Sequence, residues 1–267
     1  MQSPQHTIAV VAKCPIPGKS KTRLIPLLGE EGSVQLAKAM LSDVLTTISN
    51  CERLGGVRKI LFYAPTEGLG IMRGILKELG LSEVESPSST DGWMLLPMTT
   101  ADLTANDLGD ILTDILKRTR QLGVQGKVIF LGMDSPELPL EELVGCLASE
   151  EALLCPANDG GYGMLAVPPQ APTDKAFQGI RWSHSLTALA QLKALTDNNI
   201  PVKLGRMMND IDEPHDVQAL CQRLTAVDVP SSKDDVLLKS SLKDGRVQTG
   251  PASCTRRVLQ ELKLIPS

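Results

Sequence analysis

From residue 7 to residue 224 short apolar runs of strand length alternate with longer segments whose apolar residues recur at helical spacing. Few folds are open to a chain patterned this way. Residues 7–13 form a β-branched apolar run that ends in a turn rich in proline and glycine, the pattern of a buried strand. Residues 59–64, 93–97, 127–133, 152–156, 164–167 and 202–204 read as further strands. Between them, Val34, Ala37, Leu41, Val44, Leu45 and Ile48 share one face of a helix over 33–51. Leu108, Ile111, Leu112, Ile115 and Leu116 form a second stripe, with Asp107 placed to cap it and Asp110 three residues on. Helices are also expected over 70–79, after Pro139 with Glu141 and Glu142, over 186–195 and over 217–224. Strands that are apolar throughout are buried on both faces, so the expected fold is α/β with a mostly parallel central sheet and helices on both sides.

With 267 residues, 42% of them hydrophobic, the chain can bury one sizeable core. The alternation covers residues 1–225, read as one domain, and no internal repeat interrupts it. Residues 226–267 begin as a polar stretch rich in Ser, Lys and Asp and are read as an extension, with a short terminal helix over 256–264 that docks back. No apolar run approaches the ~20 residues of a membrane helix, and the first residues lack a signal-peptide pattern, so a cytoplasmic protein with no membrane partner is expected. Six cysteines without metal-like spacing argue against a disulfide framework or a zinc site. A net charge of −4 offers no general field for nucleic acid.

The distribution of charge says more than its total. The first acidic residue is Glu30, and before it Lys13, Lys19, Lys21 and Arg23 crowd one short segment. In an open α/β sheet ligands gather outside the carboxyl ends of the strands, so the loops past each strand deserve inspection. Those loops read AKCPIPGKSKTRL, LGMDSPELP, PANDGGYGM and MMNDIDEPHD: one carries cations and three carry aspartates. Phosphates joined to protein carboxylates through a divalent ion require that combination.

The first loop nearly matches a P-loop, ending in Gly18-Lys19-Ser20. Lys13 replaces the leading glycine, however, and Pro15 and Pro17 remove N–H donors that such a loop uses on phosphate. Asp134 follows a strand and precedes Ser135-Pro136, so it is either a metal ligand or the cap of the next turn. Asp212 lies in N-D-I-D-E-P, where it and Asp210 point the same way if the segment is extended; its alternative is the cap of the next helix. Asp159, before Gly160, Gly161 and Tyr162, is either a base or substrate contact or part of a plain hairpin turn. His184, after Trp182 and Ser183, is the histidine best placed for a site, whereas His6 and His215 are not.

Taken in order, AKCPIPGKSKTRL, NDLGD, GMDSPELP, PANDGGYGML, F-Q-G-I-R-W-S and DIDEPHD resemble the bacterial MobA-like nucleotide-diphospho-sugar transferases, a group described as arsenosugar-biosynthesis-type glycosyltransferases. The resemblance covers about residues 7–224. It implies a Rossmann-like GT-A fold that takes a nucleotide sugar or nucleotide and a small-molecule acceptor with Mg²⁺ or Mn²⁺. K-S-K-T-R-L is also similar to an element of 2-phospholactate guanylyltransferase. By these similarities Lys13, Gly18, Lys21, Thr22 and Arg23 form the phosphate side, with Lys21 and Arg23 facing the phosphates. Asp134 and Asp212 are the metal ligands, Asp159 the candidate base, and Gly160, Gly161, Tyr162, Trp182, Ser183 and His184 the acceptor side. A true D-x-D is absent, Asp110-Ile111-Leu112 stands where relatives carry E-R-M, and Trp182-Ser183-His184 replaces W-S-T. The function implied is glycosyl transfer. Nucleotidyl transfer with release of pyrophosphate, or a nucleotide-binding module without catalysis, are the alternatives.

Overall fold

The computed structural model describes residues 6–100, 103, 107–226 and 252–266. Seven strands, β1 (Thr7–Lys13), β2 (Arg58–Ala64), β3 (Trp93–Pro97), β4 (Val128–Gly132), β5 (Ala152–Pro156), β6 (Tyr162–Val167) and β7 (Val202–Leu204), form one sheet in the order β3-β2-β1-β4-β6-β5-β7. β1, β2, β3 and β4 are mutually parallel, as are β5 and β7, while β6 runs antiparallel to both its neighbours. The chain builds outward from β1 through β2 to β3 and then returns to the other side of β1 with β4. A crevice is left between the carboxyl ends of β1 and β4, the switch point where such sheets hold ligands.

Successive side chains of a strand point to opposite faces, and β1 shows why both faces had to be apolar. Ile8, Val10 and Ala12 pack with Ala37, Leu41 and Val44 of α1 (Ile25–Ser49) and Met72, Ile75 and Leu76 of α2 (Leu69–Glu78). Ala9 packs the other way, in a cluster with Phe62, Phe130, the Leu112, Ile115 and Leu116 stripe of α3 (Leu108–Gln121) and Leu195 of α5 (Thr187–Asp197). A short α4 (Leu140–Gly145) buries Leu143 on the first face. Asp107 caps α3 as expected, its carboxylate accepting from the Asp110 N–H.

A third cluster lies beside the sheet. Leu24, Leu36 and Met40 meet Ile211, Val217, Leu220 and Leu224 of α6 (Pro214–Ala226) and Ala252, Leu259 and Ile265 of α7 (Ser253–Glu261) and its flanks. The C-terminal helix packs against the rest of the chain through this cluster. It begins three residues before the expected start, and the expected polar linker lies outside the described residues. Asp43 of α1, 3% exposed, accepts from the N–H groups of Cys254 at 2.7 Å and Thr255 at 2.8 Å. It thereby caps a helix more than two hundred residues away in sequence.

Two element boundaries differ from expectation for identifiable reasons. α1 starts at Ile25, not 33, because Pro26 opens a first turn and Gly29 (φ 70°, ψ 173°) breaks the helix before it resumes. β6 begins at Tyr162 and reverses direction because residues 157–161 form a tight hairpin, with the Ala157 N–H donating to Gly161 O and the Gly160 N–H to Ala157 O. The Asp-Gly turn signal was therefore sound. Among the described residues no helix is long and apolar enough to cross a membrane.

Candidate functional site

A cleft of about 890 Å³ opens at the carboxyl ends of the strands. One part of its wall comes from the β1 loop, through Lys13, Lys21, Thr22 and Arg23, and Asp134 and Asp212 join it from the loops after β4 and β7. The hairpin contributes Asp159, Gly161 and Tyr162, and the segment before α5 contributes Trp182, Ser183 and His184. An apolar flank is made by Met98, Leu108, Ile111, Leu112 and Phe130. Gly18 and Gly160 do not line the cleft. Gly160 (φ 89°) accepts at its carbonyl from the Ala188 N–H, and a Cβ there would sit 2.0 Å from the Ser185 carbonyl oxygen. Its place is close backbone packing rather than contact with an acceptor.

The β1 loop is braced from within. Ser20 is buried; its hydroxyl donates to Cys14 O at 2.7 Å and accepts from the Ile16 N–H at 2.8 Å. That serine is thus committed to the loop, not free for a metal as a P-loop serine would be. Next to it Lys21 holds a left-handed backbone (φ 48°, ψ 46°), an uncommon conformation for a side chain-bearing residue. Its ammonium lies 2.6 Å from Oδ1 of Asp134 and 2.6 Å from Oδ1 of Asp212. The lysine side chain is 8% exposed, the two carboxylates 37% and 43%. Burial works to lower the pKa of the ammonium, but the two carboxylates outweigh it and hold the value above that of an ordinary lysine. Arg23 is exposed and pairs with Glu213 at 3.2 Å.

Asp134 and Asp212 meet because the backbone joins their segments: the Ile211 N–H donates to Asp134 O. Neither acts as a cap in the way the alternatives required. The carboxylate of Asp134 engages Lys21, and the N-terminus of α6 is served by Asp216, which accepts from the N–H groups of Asp212 and Glu213. Among the described residues no group of three or more metal-capable side chains occurs.

Asp159 is both turn and cleft residue. Its Oδ1 accepts from the Gly161 N–H at 2.7 Å, and the residue lines the cavity. Asp210, absent from the expected site, also lines the cleft. Burial, then the charge of Asp159, followed by those of Asp212 and Asp216, push its carboxyl up to about 6. The signal was present in the alternation of N-D-I-D, which sets Asp210 and Asp212 on one side. Tyr162 is a fixed wall: its hydroxyl donates to Gln191 Oε1, Gln191 donates to Ala176 O, and burial pushes the phenol far above its usual range. Trp182 packs edge-on to it with ring centroids 6.3 Å apart. His184 Nδ1 accepts from the Leu186 N–H, which assigns the proton of the neutral ring to Nε2.

Residues 47–184, 138 of the 267, match the family described as "Uncharacterized protein conserved in bacteria (DUF2064)". The chain belongs to this family. The DUF2064 match takes in Asp134, Asp159 and Trp182 and leaves out the β1 loop and Asp212. Among solved structures, a protein from Desulfovibrio desulfuricans G20, provisionally named a nucleotide-diphospho-sugar transferase, is similar over 96% of this chain and 99% of that one, at 20% identity with a TM-score of 0.69. That likeness shows this DUF2064 member to share the Rossmann-like α/β fold of that protein. More distant similarities are to a cytidylyltransferase from Leptospira borgpetersenii serovar Hardjo-bovis (13% identity, 81% of this chain, 84% of that one, TM-score 0.49) and to CMP:2-keto-3-deoxy-manno-octonic acid synthetase in complex with CTP (10%, 84%, 99%, 0.47). No curated protein sequence matches significantly.

Proposed function

We propose that the cleft takes a nucleotide-activated sugar and transfers its glycosyl group to a small-molecule acceptor, assisted by Mg²⁺ or Mn²⁺. The observation that carries this reading is the convergence of Lys13, Lys21 and Arg23 with Asp134 and Asp212 in one cleft at the sheet's switch point. A volume of about 890 Å³ leaves room for a donor and an acceptor together. The provisional name of the Desulfovibrio protein accords with this class of chemistry.

The residues present fit a divalent ion. Asp134 and Asp212 each bring one oxygen to within 2.6 Å of a single point, now the Lys21 ammonium, so the pair can share one cation. Carboxylate oxygens are the donors that Mg²⁺ and Mn²⁺ prefer, and diphosphate oxygens complete such shells. Bound there, the ion supplies positive charge against the leaving diphosphate. Lys13 and Arg23 hold the same phosphates. Asp159 takes the proton of the acceptor hydroxyl as its oxygen bonds to the anomeric carbon. The bond from that carbon to the diphosphate breaks, and its electron pair departs with the nucleoside diphosphate. Tyr162 and Trp182 form the wall that keeps water from competing.

The test is product analysis after incubation with panels of sugar nucleotides, nucleoside triphosphates and sugar or polyol acceptors. Nucleoside diphosphate appearing from a sugar nucleotide is the expected result. Pyrophosphate appearing from a triphosphate instead establishes nucleotidyl transfer, and nucleotide binding without turnover across the panel leaves only a binding module.

A further inference from the structure

The internal position of Lys21 assigns it a second task. Asp134 and Asp212 contribute two negative charges and Lys21 one positive, so the trio carries a net −1 before any ligand enters. The ammonium is the most deeply buried of the three and bonds one oxygen of each carboxylate, while both carboxylates remain partly open to the cleft. The backbone that presents it is fixed: Ser20 ties the loop to itself on one side, and Leu24 is fully buried on the other. The charge is therefore built into the site rather than drifting past it.

From this we infer that Lys21 is an internal counter-ion that makes divalent-metal binding at Asp134 and Asp212 conditional on the nucleotide. The inference rests on the metal reading proposed above. An ion of charge +2 arriving alone takes the trio from −1 to +1 and must sit beside an ammonium that already holds an oxygen of each ligand. Ion and diphosphate arriving together keep the site negative, because the diphosphate brings at least two negative charges, and it also gives the ammonium a partner of its own. Metal and nucleotide then help each other bind, and by linkage the help is equal in both directions.

The experiment is Mn²⁺ binding without nucleotide, read from the electron paramagnetic resonance signal of free Mn²⁺ over the full-length wild type, Lys21→Met, Lys21→Gln and Lys21→Arg. Both neutral variants are expected to bind Mn²⁺ at least about tenfold more tightly than wild type, because one adjacent positive charge is gone. Lys21→Gln keeps a hydrogen-bond donor and guards against a folding defect in the methionine variant. Lys21→Arg should stay weak, and Asp134→Asn added to Lys21→Met should erase the gain. The wild type is then titrated again with GDP, UDP, CDP or ADP present. Neutral variants that bind no better than wild type, while a diphosphate still promotes Mn²⁺ uptake, overturn the inference and leave the metal reading standing. No Mn²⁺ uptake by any form, with or without a diphosphate, overturns the metal reading and the inference with it.

Discussion

Replacing Asp43 by alanine should loosen the C-terminal helix and, through it, the proposed nucleotide site. Asp43 is 3% exposed and accepts two backbone N–H bonds, at 2.7 and 2.8 Å, from the first turn of α7. Hydrogen bonds to a charged group are worth about 1.5–3 kcal/mol each, and Thr255, whose N–H loses its acceptor, is fully buried. Against that stands the burial of the carboxylate, which pushes its pKa up despite the two donors. Two bonds at the lower figure give about 3 kcal/mol; relief of the buried charge returns about 1, so a net loss of about 2 kcal/mol is expected. The helix shares its cluster with Leu24 and Ile211, which adjoin Arg23 and Asp212 in sequence, so nucleotide affinity should fall several-fold as well. Urea denaturation measures the first effect, hydrogen exchange at α7 amides locates it, and calorimetric titration of nucleotide reads the second. Stability within about 0.5 kcal/mol of wild type, with α7 amides as protected as before, would refute the capping argument.

Asp159→Asn should leave donor affinity nearly unchanged while lowering turnover by about 10²-fold or more, measured by steady-state kinetics; parallel loss of stability and activity would instead mark a turn residue. Asp210, with its carboxyl raised to about 6, contributes stability that is complete below the ordinary aspartate range and is lost as pH rises through about 6. Asp210→Asn should therefore raise the stability of the ligand-free protein near pH 7, by about 1 kcal/mol after allowance for its partial exposure, and the gain should vanish near pH 4 in urea titrations at the two pH values. Arg23→Ala should weaken nucleotide binding by about 1.5–3 kcal/mol and Lys19→Ala by less; calorimetry showing the reverse order would place the phosphates nearer the tip of the loop.

The strands were readable because a strand buried on both faces is apolar without interruption, as Ile8 to Val10 and Ile129 to Leu131 are. The same property hid the direction of β6, since a doubly buried strand shows no alternation; only the Asp-Gly turn before it carried that information. The first turns of α1 escaped because Gly29 interrupts the apolar period there. Within the site, the rule that ligands meet strand ends found all four loops, and it placed Lys13, Lys21, Asp134, Asp159 and Asp212 on one cleft. What it did not reveal was partnership. Lys21 was assigned to phosphates and Asp212 to a metal, yet the two residues, 191 positions apart, touch each other. Asp43 looked like any helix residue, because its partners are the N–H groups of a helix 211 positions on. Local pattern encodes which face is buried; which charges meet across the fold depends on packing that no window of sequence contains.

The left-handed backbone at Lys21 is the clearest mark of what the fold maintains at this site. A glycine there would relieve about 1 kcal/mol of strain, since only a residue with a side chain is penalised in that region. The chain instead keeps a lysine, and the surroundings are arranged to tolerate it. Ser20 closes the turn before it, the Leu24 N–H donates to the Lys21 carbonyl after it, and Leu24 enters a cluster sealed by the C-terminal helix. Local strain persists only where neighbouring packing over-determines the conformation, and here that packing reaches to residue 265. The C-terminal segment therefore braces the β1 loop: take away its grip on Leu24 and the backbone at Lys21 is free to relax, carrying the ammonium away from Asp134 and Asp212.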